Sequence, residues 1–336
     1  MSRIRLAVVG AGAFGRNHLR VLRELDSAEL VAAVDSDPGR AAAAAREFGC
    51  EALSDYRALA GRVDAAVVAV PTTAHAAVAV PLLEAGIDVL VEKPIAPDLD
   101  SAQRMAAAAQ SRGRILQVGH LERYNPAVEA VQKILTTPLF FEIHRMSVFS
   151  PRSLDVDVVL DLMIHDIDIV LAMTGAMPEE IRAVGLAILS HKVDIANVRL
   201  AFANGCVANL TASRVSTEKV RKVRIFQPSQ YISLDYQKRE AAVFTVGEKG
   251  QFPPDAMTAE LGLGDRQIGF DLLTPDKQEP LRAELADFVE CVSRRSAPRV
   301  LADDAIRALE VSLAILGRIE EHLQLVSRTL SNRRTY

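Results

Sequence analysis

The stretch "VVLDLMIHDIDIVLAMTG" places Asp161, His165 and Asp168 at i, i+4 and i+7, a spacing that puts all three on one face of a helix. The surrounding positions are mostly apolar, so such a helix is buried, and its polar stripe is either satisfied by partners or lines a cavity. A carboxylate that orients a histidine makes a general acid/base, because the imidazole titrates near operating pH. A carboxylate-histidine pair serving only the core is the alternative. Three such side chains can also ligate a metal, but Asp161 and His165 suffice as an acid/base pair, and no metal is expected. A second stretch, "VLVEKPIAP", ends an apolar run in Glu92 and Lys93 against Pro94. The charges mark either the exit of a strand from the core or an edge where a ligand lies.

Gly10, Gly12 and Gly15 in "GAGAFG" match G-x-G-x-x-G between a strand and a helix running to about Leu25. The first glycine permits the tight turn, the second lets a pyrophosphate approach the backbone, and the third lets helix and strand pack closely. Ala13 and Phe14 complete the loop and are expected at the cofactor. Free N–H groups at the helix start would meet the phosphates. Asp35, in "VAAVDSD", lies 20 residues beyond Gly15. There a carboxylate accepts hydrogen bonds from both adenosine ribose hydroxyls and repels a 2'-phosphate, so NAD is expected rather than NADP, with FAD or a mononucleotide as alternatives. In "AVPTTAH", Pro71 closes a strand, Thr72 or Thr73 caps the next helix, and His75 sits in its first turn. Ligands of an open α/β sheet gather beyond the carboxyl ends of its strands. Pro71, Thr72, Glu92, Lys93 and Gln117 belong to that edge, and His75 is either a cofactor contact or a surface helix residue.

These residues need elements to hold them. Up to about residue 120, continuous apolar runs (Ile4 to Val9, Leu30 to Val34, Ala65 to Val70, Val89 to Val91, Ile115 to Val118) alternate with helical stretches. That pattern predicts an α/β fold with a doubly wound parallel sheet buried on both faces. Beyond a helix from about Pro126 to Leu135, longer strands alternate apolar and polar, as in "NVRLAFANGCVANLTASRV". They predict an α+β domain with a large, mainly antiparallel open sheet. One strong helix, Val158 to Thr174, interrupts it with Gly175 suited to end it, and helix returns from Glu279 to about Leu330. The expected domains are residues 1–120, binding the dinucleotide, and 121–336, binding substrate and assembling the oligomer, with C-terminal helices able to pack back on the first.

Composition narrows the function. The chain has 336 residues, 49% of them hydrophobic, and a formal charge of -4 from 39 basic and 43 acidic residues without a basic arm, which argues against nucleic acid as partner. Cys50, Cys206 and Cys291 are far apart with no CxxC pair, so neither a disulfide framework nor a zinc site is expected, and a reducing cytoplasm is the simplest compartment. The N-terminus runs straight into a strand rather than a signal peptide, and no apolar run approaches the roughly 18 residues a membrane helix requires.

With the glycine loop, "EKP" and "DLMIHDID" in this order, the chain resembles the glucose-fructose oxidoreductase / inositol dehydrogenase / rhizopine catabolism (Gfo/Idh/MocA) family along essentially its whole length. The resemblance implies a Rossmann domain, an open-sheet domain used for dimer or tetramer contacts, and NAD(P)-dependent chemistry at a sugar or cyclitol carbon. It implies that Lys93 hydrogen-bonds the reacting hydroxyl near the nicotinamide ribose, with Pro94 fixing the turn, and that His165 takes the hydroxyl proton with support from Asp161. "VGHLERYNPAV" and "SPRSLDVDVVLDLMIHDIDI" look most like the branch that oxidises the 3-hydroxyl of UDP-N-acetylglucosamine, supplying a 3-amino sugar for lipid A or a related glycan. Tyr124, Asn125 and Arg152 then become sugar-nucleotide contacts. "YNP" reads equally as a helix start with Asn125 as cap and Pro126 at the first turn. Lys219, Arg221, Lys222 and Arg224 either help bind diphosphate or form the solvated face of a strand. UDP-N-acetylglucosaminuronate, a free sugar or a cyclitol are alternative substrates. A non-catalytic NAD(P)-sensing protein is the alternative class, disfavoured because a sensor needs neither Lys93 nor His165.

Overall fold

Six strands, β1 (Ile4–Val9), β2 (Ala28–Val34), β3 (Glu51–Leu53), β4 (Ala65–Val68), β5 (Asp88–Glu92) and β6 (Leu116–Gly119), pair in the order 3-2-1-4-5-6. Every pairing is parallel. The computed structural model describes residues 3–149, 156–262 and 264–333, with side chains to Arg328. β1, β4 and β5 are almost wholly buried, as sheet strands covered on both faces must be. The strand order reverses between β1 and β4, which opens a crevice beyond their carboxyl ends. β3, three residues long, escapes a reading based on apolar runs because none of its residues is buried.

Helices α1 (Ala13–Glu24), α2 (Pro38–Phe48), α3 (His75–Glu84) and α4 (Leu99–Arg112) alternate with these strands. Their ends follow from local chemistry. The Asp37 carboxylate accepts from the Gly39 and Arg40 backbone N–H at 2.8 and 3.2 Å, with Pro38 in the first turn, and Gly49 ends α2 in the left-handed conformation. Asp98 caps α4 by accepting from the Ser101 N–H at 2.7 Å, and Gly113 closes it. Gly12 begins α1 without any side-chain cap, so the first N–H groups of that helix stay available.

The chain divides into two units: Met1–Tyr124 with Gln278–Leu309, and Asn125–Lys277 with Glu310–Tyr336. The boundary falls after Tyr124, and the C-terminal segment Gln278–Leu309 groups with the first unit. The second unit contains α5 (Pro126–Ile134) and α6 (Ile164–Thr174). The C-terminal helical stretch forms α7 (Pro280–Arg294) and α8 (Ala302–Arg333), separate helices. Leu285, Phe288, Val289 and Val292 of α7 share one core with Leu6 and Val8 of β1 and Leu19 and Leu22 of α1. Burying each such side chain is worth about 1.5–3 kcal/mol, so α7 is integral to the unit that carries the glycine loop.

The second unit is built on nine strands: β7 (Phe140–Val148), β8 (Glu180–Leu186), β9 (Ile195–Ala201), β10 (Val207–Ser216), β11 (Val220–Gln227), β12 (Gln230–Asp235), β13 (Glu240–Glu248), β14 (Met257–Glu260) and β15 (Arg266–Leu273). Their order is 14-15-13-12-11-7-10-9-8, and only β7 and β10 run parallel. One face buries Phe141, Ile143, Val198, Leu210, Ile225 and Ile232. The opposite face carries Phe140, Phe226, Tyr231, Phe244 and Phe270 from five adjacent strands, with successive ring centroids 5.0–5.6 Å apart. No helix among the described residues is long and apolar enough to cross a membrane.

Candidate active site

The glycine loop shows why each glycine is required. Gly10 has φ +102°, and a Cβ there would meet the Ala69 carbonyl oxygen at 2.5 Å. A Cβ on Gly15 would sit 1.7 Å from the Gly10 carbonyl oxygen, because α1 crosses directly over the turn. Around Gly12 a Cβ would meet nothing within 4 Å, so the space beside the start of α1 is open to a ligand. A cavity of about 830 Å³ occupies this crevice, lined by Gly10, Gly12, Ala13, Phe14, Asp35 and Pro71, with Arg40, Tyr56 and Arg57 at one side. Its donor set fits a dinucleotide: open backbone N–H groups for a pyrophosphate and a carboxylate for a ribose.

Asp35 is held for that task. One of its oxygens accepts from the Ala11 N–H at 2.9 Å, and the other from the Asp37 N–H at 2.9 Å, so the carboxylate ties the loop after β2 to the glycine turn. The Arg40 guanidinium lies 3.1 Å from Asp35 Oδ1. Sequence reasoning did not single out Arg40, which follows Asp35 by five residues and joins it only because Asp37 starts α2 there.

Thr72 opens a short turn, Thr72–Ala74, directly after Pro71. Thr72 does not line the cavity, and neither does His75. His75 is 1% exposed, with Nε2 3.0 Å from the Val70 carbonyl oxygen and Nδ1 3.1 Å from those of Pro94 and Ile95. Burial pushes its imidazole pKa down. His75 therefore ties the end of β4 to the turn after Lys93, a role neither expected alternative foresaw.

Glu92 ends β5 and Lys93 follows it, both half-buried, and the Lys93–Pro94 peptide is cis. Glu92 Oε1 lies 2.6 Å from Nε2 of His18, a fully buried residue of α1, and its other oxygen accepts from the Lys93 N–H at 3.3 Å. Burial alone would raise the Glu92 carboxyl, but the His18 hydrogen bond and the His18 and Lys93 charges outweigh it and hold the group below its usual range. Glu284 of α7 is 1% exposed and answers oppositely: burial, then the charges of Glu92 and Asp287, push it well above the usual range. The two neighbouring carboxyl groups are thus driven in opposite directions, Glu92 down and Glu284 up. His18 and Glu284 carried no sequence signal, since a lone polar residue in an amphipathic helix reads as surface.

Gln117 and Tyr124 share the same buried polar interior. Gln117 Nε2 donates to Tyr124 Oη at 3.0 Å, and Tyr124, 1% exposed, donates to Asp287 at 2.7 Å. Burial first, and then the Asp287 charge, raise the tyrosine pKa. Asn125 begins the second unit as the cap of α5, accepting from the Ala127 N–H at 3.1 Å and donating to the Tyr236 carbonyl at 3.0 Å. The structure thus places Asn125 as the helix start. Arg152 lies outside the described residues. Lys222 and Arg224 pair with Asp235 at 3.9 Å and Glu142 at 2.9 Å, and Lys219 is exposed just before β11 while Arg221 is half-buried within it, so this run is a strand with a neutralised outer face.

The helix expected over 158–174 begins as a π turn, Val159–Met163, before α6. Asp161 and His165 flank the junction and are partly exposed, whereas Asp168 is fully buried. The wider turn rotates the positions after it, so the three residues do not present one equally open stripe. Among the described residues, no three histidine, cysteine or carboxylate side chains converge on a metal-binding arrangement.

A glycine cradle at the switch point of a doubly wound sheet, followed by an open-sheet unit bearing a histidine helix, defines a dinucleotide-dependent oxidoreductase. Residues 4–120 match the model of an oxidoreductase family with an NAD-binding Rossmann fold, and residues 141–228 match the GFO/IDH/MocA C-terminal domain. The chain belongs to the Gfo/Idh/MocA family, and its cofactor is NAD. It is 36% identical over 329 residues to UDP-N-acetylglucosamine 3-dehydrogenase of Acidithiobacillus ferrooxidans, covering 96% of this chain and 100% of that one. The crystal structure of that enzyme superposes with a TM-score of 0.86 over 96% of this chain and 99% of its own. Inositol 2-dehydrogenase of Corynebacterium glutamicum is 29% identical, over 79% of this chain and 83% of its own.

Proposed function

We propose that this chain oxidises the 3-hydroxyl of UDP-N-acetylglucosamine to the 3-keto sugar nucleotide, with NAD as hydride acceptor. The observation that carries this reading is the end-to-end likeness, in sequence and in fold, to an enzyme named for that reaction. The residues supply what the reaction needs. Gly12 and the start of α1 hold the pyrophosphate, and Asp35 holds the adenosine ribose. NAD held there would supply the hydride acceptor, which leaves the protein to manage the hydroxyl proton and the charge left on oxygen. His165 removes the proton with Asp161 in support, and the Lys93 ammonium, next in the chain to Glu92, stabilises the oxyanion. The 3-keto product is set up for a transamination that would yield a 3-amino sugar. The aromatic face of the nine-stranded sheet joins copies of the chain.

The test is NADH formation with UDP-N-acetylglucosamine, UDP-N-acetylglucosaminuronate, UDP-glucose and myo-inositol, with an aminotransferase and glutamate added to draw off the ketone. Turnover of the first substrate alone is expected. Turnover of myo-inositol alone would favour the cyclitol reading that the inositol 2-dehydrogenase likeness suggests. Lys93→Ala is expected to keep NAD affinity within a few fold and to lose about 10²- to 10⁴-fold in turnover, and unchanged turnover would remove Lys93 from the chemistry.

A further inference from the structure

Behind His165 lies an ion pair that the chemistry above does not use. Arg145, in the middle of β7, donates from Nε and Nη2 to the two carboxylate oxygens of Asp166 at 2.7 and 2.8 Å. Both side chains are 2% exposed. The guanidinium also lies over the Tyr236 ring, 5.0 Å from its centroid, and the Tyr236 carbonyl is held by the Asn125 cap of α5. β7 sits inside the nine-stranded sheet between β11 and β10, so the arginine is rooted in the stiffest part of the second unit. Its partner is the residue that directly follows His165.

Such a pair is poorly explained as a source of stability, because desolvating two charges costs about what their attraction returns, and an apolar pair of the same volume often does as well. What a buried fork does supply is a single geometry. Geometry is at stake here, because the π turn carries one residue more than an α-helical turn. If it relaxed to α, every side chain after it would swing by about 100° around the helix axis. The segment before the π turn is pinned as well. The Val158 N–H donates to the Val193 carbonyl at 2.9 Å, the Val193 N–H donates to Asp157 at 2.9 Å, and buried Arg214 donates to the carbonyls of Val156 and Val193. With the entrance fixed there and the exit fixed by Arg145 and Asp166, the extra residue has nowhere to go but the turn that carries Asp161.

We propose that Arg145 and Asp166 are positioning residues for His165: their buried bidentate pair locks α6 in the register that the π turn sets, and so aims the imidazole. This rests on the reading of His165 as the proton acceptor. A double variant, Arg145→Met with Asp166→Leu, removes both charges together and leaves no buried ion unpaired. It is expected to fold with a Tm near that of the parent and to bind NAD with unchanged Kd. Its kcat should fall about 10- to 100-fold, with a smaller change in KM, since misplacing a reacting group by about 1 Å costs on that order. The second readout is the His165 ring proton signal in NMR spectra of the chain without substrate, identified by its loss in His165→Asn. One sharp signal is expected in the parent, and a broadened or doubled one in the double variant. A folded double variant with parental kcat and a parental His165 signal would overturn the proposal. If the double variant does not fold, Arg145→Lys keeps the charge and loses the fork, and the same two readouts decide in the same way. If His165→Asn itself turns over normally, the catalytic reading of His165 fails, while the ring signal still reports whether the pair aims it.

Discussion

Glu284 shows how much of a site one buried residue can govern. It faces Glu92 at the end of β5, which is also approached by His18 from α1, by Lys93 next along the chain and by His75 from α3, while Asp287 adds a further negative charge from α7. A carboxyl held neutral in the folded state keeps its proton at pH values where the unfolded chain has lost it, so its contribution to stability is full below about pH 4.3 and is lost as pH rises toward the raised folded pKa. Glu284→Gln is neutral in both states. Relative to the parent it should gain about 1.4 kcal/mol for each pH unit across that window and match it near pH 4. Denaturant melts of the two proteins from pH 4 to pH 8 check this. A difference that stays flat, or that favours the parent as pH rises, would mean that Glu284 ionises in place. None of this was legible in the sequence. "EKP" announced that charges end a strand, but whether a neighbouring glutamate keeps its proton depends on a helix more than 150 residues away in the chain.

At the scale of elements, the glycine loop was the most legible part, because each glycine answers a local steric demand that fixed spacing reveals. Its three positions make different predictions. Gly15→Ala drives a methyl into the Gly10 carbonyl, so α1 must move off the turn, and loss of the folded first unit or a Tm lower by several degrees is expected. Gly12→Ala meets nothing in the protein. It should fold with a Tm close to the parent's and lose at least about tenfold in NAD affinity, because the new methyl takes space that the pyrophosphate needs. Titration with NAD and thermal melts separate the two outcomes, and equal effects at both positions would show that the cradle is not where the cofactor lies. Capped helices such as α2 and α4 were legible for the same local reason. α7 was not. Its sequence states that a helix exists but not that its apolar face completes the core around β1 and α1, since that depends on contacts some 270 residues apart. The π turn before α6 was illegible too, since the run 158–174 fits a plain α-helix and the extra residue is imposed by Asp157, Val193 and Arg214 around it.

For the whole molecule, the second unit's sheet carries on one face, among the described residues, a row of partly exposed aromatic side chains. The alternating pattern of its strands made an open face legible, but not that one outward residue on each of five neighbouring strands is aromatic and that these rings fall side by side, because adjacency across the sheet depends on strand order. Phe140, Phe226, Tyr231, Phe244 and Phe270 form a ladder in which each ring leans on the next, beside Leu272 and Met257, which are 46% and 69% exposed. Beside it, Arg224 and Lys222 pair with carboxylates on neighbouring strands, so that part of the face is neutral in sum. A broad apolar stripe next to neutralised polar ground suits contact with a second copy of the same chain, where a strong single charge would repel its own image. Phe226→Asp with Tyr231→Asp places two carboxylates in the middle of the ladder without touching the inner face, where Ile225 and Ile232 are buried. Sedimentation velocity should show the parent as a dimer or larger and the double variant at a smaller mass with its circular dichroism retained. NAD binding should survive in that smaller species, because Gly10, Gly12, Gly15 and Asp35 all lie within the first unit. A parent that sediments as a monomer, or a variant whose mass does not change, would assign the ladder to some partner other than this chain itself.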